Sequence, residues 1–114
     1  MAMKRRRSNC PVSYSLDVLG DKWTLLILRD ILVRQKRYYR DFLESGEGIA
    51  TNILADRLKH LVDQGLVTRT TDPDKKRQAV YSPTPKARAL LPVLGAMVKW
   101  GLQYGPKTKD PFKS

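Results

Sequence analysis

The stretch "NILADRLKHLVDQGLVTRTTDPDKKRQAVYSP", residues 52 to 83, changes its hydrophobic period in the middle, and this change constrains the fold more than any other feature. Leu54, Leu58 and Leu61 recur at helical spacing, and Gly65 stops the pattern. Beyond it, "LVTRTT" and "QAVYS" read as two strands, and the polar "DPDKKR" between them reads as a hairpin turn. The chain must therefore accommodate a helix that runs directly into a hairpin with three adjacent cations, Lys75, Lys76 and Arg77, at its tip.

The flanking segments supply the remaining elements. In "CPVSYSLDVLG", Pro11 suits a first helical turn and Gly20 ends the segment. In "DKWTLLILRDILVRQ", Asp21 can cap a second helix whose Leu25, Leu26, Leu28, Ile31 and Leu32 form a core-facing stripe. "RYYRDFLES" predicts a short third helix closed by "GEG", and the leucine-bearing helix spans about Thr51 to Gln64. After the hairpin, a long helix is expected from about 84 to 104. Pro85 is well placed at its start, whereas Pro92 should kink or break it by removing a hydrogen bond. The fold class expected is mainly α with a small β-hairpin (α+β), a winged helix-turn-helix with a long C-terminal dimerisation helix. Residues 1–9 would be a flexible basic arm, 10–104 the domain including that helix (about 84–104), and 105–114 a polar tail.

In such a fold a recognition helix enters the major groove and the hairpin lies along the neighbouring backbone, where cations neutralise phosphates. Composition agrees. Lys and Arg number 22 against 11 acidic residues, a net charge of +11, and "KRRR" at 4 to 7 accounts for only part of the excess. Such a field attracts polyanions, nucleic acid first and an acidic membrane surface second. No apolar run approaches the roughly 20 residues that span a bilayer, and "MAMKRRR" is not followed by a signal-peptide core. The expectation is a cytoplasmic protein without a membrane partner.

The leucine-bearing helix turns Thr51, Asn52, Ala55, Asp56, Lys59 and His60 away from the core. Asn52 can pair bidentately with adenine, and the methyls of Thr51 and Ala55 suit that of thymine. Lys59 reads as a phosphate ligand and His60 as a surface or packing residue. Arg57 either contacts DNA or pairs with Asp56 or Asp63. Tyr38, Tyr39 and Arg40 can reach phosphate, although one tyrosine can equally fill the core. In the last helix Leu90, Leu94, Met97 and Gly101 form one seam and Leu91, Val98 and Leu102 an adjacent one, beside Trp100. That arc is wider than one domain needs, so double-stranded DNA and a second copy of the chain are the partners expected. The alternative is a helix that only completes the monomer core.

Catalysis finds little support: there is no glycine-rich phosphate loop and no metal-ligand spacing, and Trp23, at helical spacing with Ile27, reads as core or dimer packing. No enzyme, cofactor or metal is expected, and no small-molecule effector can be named. The single cysteine, Cys10, excludes an internal disulfide. Lying just before Pro11 at a helix start and near "KRRR", it is a candidate redox switch, against the alternative of a buried, inert thiol.

The segments "CPV", "LDVLGDKWTLLILRDIL", "LADRLKHLVDQGLVTR" and "YSPTPKARALLPVL" resemble the HxlR-type family of winged helix-turn-helix transcriptional regulators over roughly residues 10 to 100. The resemblance implies a homodimer on a palindromic operator, and some members sense electrophiles or oxidants through a cysteine near the N-terminus. Asp21 and Ala50 stand where the family often has glycine and serine, and Pro83 and Ala87 replace an apolar residue and a glycine. A sequence-independent nucleoid-like or RNA-binding protein remains the alternative function.

Overall fold

A computed structural model describes residues 8–112; residues 4–7, the cationic part of the arm, and the last two residues of the tail lie outside them. The element order is α1 (Pro11–Leu19), α2 (Lys22–Leu32), α3 (Tyr39–Leu43), α4 (Thr51–Asp63), β1 (Val67–Asp72), β2 (Gln78–Pro83), α5 (Pro85–Arg88) and α6 (Leu91–Tyr104). The two strands pair antiparallel from Val67 with Pro83 to Asp72 with Gln78. Helices α2, α3 and α4, the hairpin and the helical segment after it follow the winged helix-turn-helix order that the change of period implies, with α1 preceding them.

The core forms where α2, α3 and α4 meet the base of the hairpin. Leu54, Leu58 and Leu61 of α4 are buried against Ile27, Leu28 and Ile31 of α2, Phe42 of α3, and Leu66, Val67 and Tyr81 at the hairpin. Each such side chain contributes about 1.5–3 kcal/mol by leaving water. The α2 stripe is shifted from the sequence expectation. Ile27 joins Leu28 and Ile31 in the buried arc, Leu25 and Leu32 pack at its margin, and Leu26 is only half-buried. Asp21 caps α2 as expected, its Oδ1 accepting the Trp23 and Thr24 amides at 2.9 Å each.

Helix α4 ends in a tight reversal at Gly65, whose φ is 71°. The Leu66 amide donates to Leu61 O at 2.9 Å and the Gly65 amide to Val62 O at 3.0 Å, the paired bonds of a Schellman motif. Both Leu61 and Leu66 are buried, so the turn delivers β1 to the core as it leaves the helix.

The expectation of one helix over 84–104 is corrected. The chain forms a single turn, α5, breaks at Ala89 and Leu90, and begins again as α6. Thr84 caps α5, Pro85 starts it, and Pro92 falls within the first two residues of α6. There its missing N–H has no intrahelical partner to lose, so the break moves upstream of the proline. Leu90 thereby leaves the helix and packs on the core.

Leu58→Ala should cost about 2–5 kcal/mol of stability through the lost burial and the cavity left behind. Lys59→Ala, on the exposed side of the same helix, should change it by less than about 0.5 kcal/mol. Urea unfolding of the two variants measures the contrast.

Candidate nucleic-acid interface

The residues assigned to one outer face of α4 emerge together. Thr51, Asn52, Ala55, Asp56 and Lys59 are exposed, while Arg57 and His60 are half-buried. Ala50 occupies the N-cap and offers no side-chain acceptor, so the first amides of α4 are left uncapped by it. Tyr39 lies beside this end, its hydroxyl donating to Thr51 O at 2.9 Å. Arg40 is on the surface, 3.5 Å from Glu44.

Two contacts far apart in sequence hold α4 in place. Arg57 Nη1 lies 3.1 Å from Asp56 Oδ2, and its Nε lies 3.2 Å from Asp21 Oδ1, an ion pair without hydrogen-bond alignment. Asp63 is not its partner. Arg57 thus ties α4 to the N-cap of α2. His60 Nε2 lies 2.9 Å from Val18 O, tying the same helix to α1. Neither the Asp21 nor the Val18 contact carries a local sequence signal, since the partners are dozens of residues apart.

At the hairpin tip Lys75, Lys76 and Arg77 are all exposed. They are not equivalent. Lys75 Nζ stands 4.5 Å from the centroid of the Tyr38 ring, whereas Lys76 and Arg77 carry positive φ values of 53° and 57°. Tyr38 neither faces open solvent nor fills the core. Its backbone bridges to Val80 and its hydroxyl donates to Asp72 Oδ2 at 2.8 Å. At the other end of the hairpin, the Thr84 hydroxyl donates to Gly65 O at 2.6 Å, and Lys86 Nζ donates to Gln64 O at 2.7 Å.

On α6 the two expected seams divide. Leu94 is buried, Leu91 and Val98 are half-buried, and Met97 and Leu102 are exposed. With Met97 at 51% exposure and Trp100 at 68%, the open apolar face also takes in Val93 and Tyr104. Sequence reasoning missed a second such face. Helix α1 buries only Val18 and leaves Val12 and Leu16 at 66% and 58% exposure. Their i, i+4 spacing is the signal that finds it. Cys10, just before α1, is exposed and has a free thiol, and its amide donates to the Ser8 hydroxyl at 3.2 Å. Trp23 packs at the margin of the core. Among the described residues, no helix is long and apolar enough to cross a membrane.

The short helix α3, the helix α4 with its outward polar face, and the cationic hairpin beside it define a winged helix-turn-helix protein. The chain matches the HxlR-like helix-turn-helix family over residues 18–109 and belongs to it. It is 35% identical over 95 residues to the HTH-type transcriptional regulator sll1512 of Synechocystis sp., covering 83% of this chain and 70% of that protein. It resembles the crystal structure of PA1607 with a TM-score of 0.81 at 37% identity, over 91% of this chain and 72% of the other. It resembles the redox regulator HypR in its reduced form with a TM-score of 0.72 at 30% identity, over 82% and 92% of the two chains. The family and the relatives are transcriptional regulators, not enzymes.

Burial alone would raise the Asp21 carboxyl. The Thr24 hydroxyl, the Thr24 and Trp23 amides and the Arg57 charge outweigh it and hold its pKa below the ordinary 3.8. A depressed folded pKa gives stability that is present above the unfolded value and is lost as pH falls through the folded one. Asp21→Ala should therefore cost about 1–2 kcal/mol at neutral pH, the usual range for a lost N-cap. The gap from wild type should shrink below about pH 4, near the ordinary aspartate value. Denaturant melts across pH would detect this convergence.

Proposed function

We propose that the protein is a sequence-specific DNA-binding transcriptional regulator that acts as a homodimer on a palindromic operator. The observation that carries the reading is the exposure of Thr51, Asn52, Ala55 and Lys59 on α4 beside a hairpin tip bearing Lys75, Lys76 and Arg77. In this reading the N-terminal end of α4 reads base edges in the major groove, Asn52 bidentately to adenine and Thr51 and Ala55 through methyl contact. Lys59, Arg40 and the tip cations hold phosphates and set the docking angle, carrying no base preference of their own, while Tyr39, whose one hydroxyl proton goes to Thr51 O, braces the start of α4. Arg57 serves chiefly as the tether of the reading helix. Such a regulator works in the cytoplasm, where the chromosome is.

The homodimer rests on the open apolar faces of α1 and α6. Leu91, Met97, Val98 and Leu102, with Val93 and Trp100 beside them, meet their copies across a two-fold axis, while Leu90 and Leu94 support the surface from within. Isologous pairing places two recognition helices about 34 Å apart, one turn of the duplex. Replacing both Met97 and Val98 with Asp should give monomers that bind DNA poorly. Sedimentation showing an intact dimer would move the interface elsewhere.

Selection of bound duplexes from a random pool tests the specific reading against a sequence-independent one. Inverted half-sites preferred by roughly 10³-fold or more support a regulator, whereas steep salt dependence without preference supports a nucleoid-like protein. Asn52→Ala should then relax preference by about 1–3 kcal/mol. Replacing all three tip cations with Ala should weaken every duplex alike and flatten the salt slope.

Cys10 is the proposed redox-responsive group of this regulator, a reading supported by its exposure and by the likeness to HypR. With one cysteine in the chain, oxidation leads to an intermolecular disulfide or to a mixed disulfide with a small thiol. Either product alters the start of α1, which His60 connects to α4. Operator binding should fall after treatment with diamide or peroxide in the wild type and not in Cys10→Ser; equal responses of the two proteins would discard the sensor.

A further inference from the structure

Three features of the hairpin converge on one side chain outside the recognition helix. Tyr38 pairs through its backbone with Val80, and the adjacent Arg37 O accepts the Tyr81 amide at 2.8 Å, so this segment runs along β2 as a fragment of a third strand. From there the Tyr38 hydroxyl donates to Asp72 Oδ2 at 2.8 Å, at the last residue of β1. Its ring receives Lys75 Nζ at 4.5 Å. Asp72 uses its other oxygen to accept the Asp74 amide at 2.9 Å, starting the turn.

The turn itself is closed by the Gln78 amide donating to Lys75 O at 3.0 Å, with Lys76 and Arg77 as its two central residues. Both have positive φ, the pattern of a type I′ turn, which glycine and asparagine adopt at far lower cost than Lys or Arg. Two long cations in left-handed conformation persist only where the surroundings over-determine them. The Tyr38 contacts provide that constraint on the near side of the tip. They also engage one of the three charges, because an ammonium over an aromatic face is held by the ring.

We propose that Tyr38 is the positioning residue of the wing, and that Lys75 is a strut held on its ring while Lys76 and Arg77 alone are presented to phosphate. This inference rests on the DNA-binding reading above. It deepens that reading by dividing the tip cations into one that sets the wing's angle and two that meet the duplex.

The test measures operator affinity against salt for the full-length protein, together with a signal that needs no DNA. Lys76→Ala and Arg77→Ala should each flatten the slope of log K against log salt by about 0.9, the value of one phosphate contact. Lys75→Ala should leave the slope unchanged. Tyr38→Phe, which keeps the ring and loses the donor to Asp72, should weaken binding roughly two- to tenfold, the range of one hydrogen bond. That loss should vanish in a Lys76→Ala, Arg77→Ala background, where no wing contact remains to be positioned. A flattened slope in Lys75→Ala, or a Tyr38→Phe loss of equal size in both backgrounds, would overturn the proposal. In the free protein, proton NMR should show the Lys75 ε-methylene shifted upfield by the ring and returned to its ordinary position in Tyr38→Leu. An unshifted signal in the wild type removes the strut. A shifted signal in a protein that binds no duplex supports the Tyr38–Lys75 contact and overturns the DNA-binding reading instead.

Discussion

Gly65 reverses the chain at a φ of 71°, and the position of everything after α4 depends on that reversal. The turn joins a helix whose inner face is in the core to a strand whose first residue, Val67, is also buried. Leu61 and Leu66 on either side of it are buried at the same time, so the angle between α4 and the hairpin is set by packing and by the two turn hydrogen bonds together. A β-carbon at Gly65 would meet nothing within 4 Å. Glycine is required there for its backbone conformation, not for space. The carbonyls of Gln64, Gly65 and Leu66 are then used by Lys86 and Thr84, which fasten the returning strand to the same turn. The hairpin is fixed at its root by this cluster and at its tip by Tyr38, a two-point attachment that a two-stranded ribbon by itself would lack.

Much of this architecture was legible in the sequence because it is written in local periods. The leucines of α4, the stop at Gly65 and the alternation of the strands each need fewer than about a dozen residues to be recognised. The break before α6 was half legible. Pro92 announced it, but the site of the break depends on where a proline is harmless, which is the start of the next helix rather than the proline itself. The α2 stripe shifted for a different reason. Six apolar residues in "LLILRDIL" satisfy several helical faces equally well, and only packing in the core with the α4 leucines selects Ile27 over Leu26. The distant partners of Arg57, His60 and Tyr38 were not legible. Local charge pairing found Asp56 for Arg57, but Asp21, Val18 and Asp72 lie across the fold and carry no local signal.

The candidate site divides along the same line. The exposed residues of α4 follow from helix geometry once its buried face is known, and the cations of the tip follow from turn composition. What cannot be read locally is which cations are engaged. Several acids are engaged by structural partners: Asp30 is buried between Arg29 and Arg34, Glu47 takes the other side of Arg29, and Asp21 and Asp56 take Arg57. Asp72 takes the Tyr38 hydroxyl.

This allocation has an electrostatic consequence. Among the described residues no ion pair includes Lys59, Lys76 or Arg77, so a phosphate approaching them displaces water and counterions rather than one of these carboxylates. Arg40 differs little from them, since its pair with Glu44 is 3.5 Å long and both side chains are largely exposed, a contact that solvent and salt screen to near nothing. Arg57 is the opposite case. To swing toward a phosphate it would abandon Asp21, leaving the cap of α2 without its counter-charge and α4 without its tether. The same side-chain type is thus available on α3 and committed on α4, and the difference comes from Asp21 on the neighbouring element together with Asp56 beside it on α4.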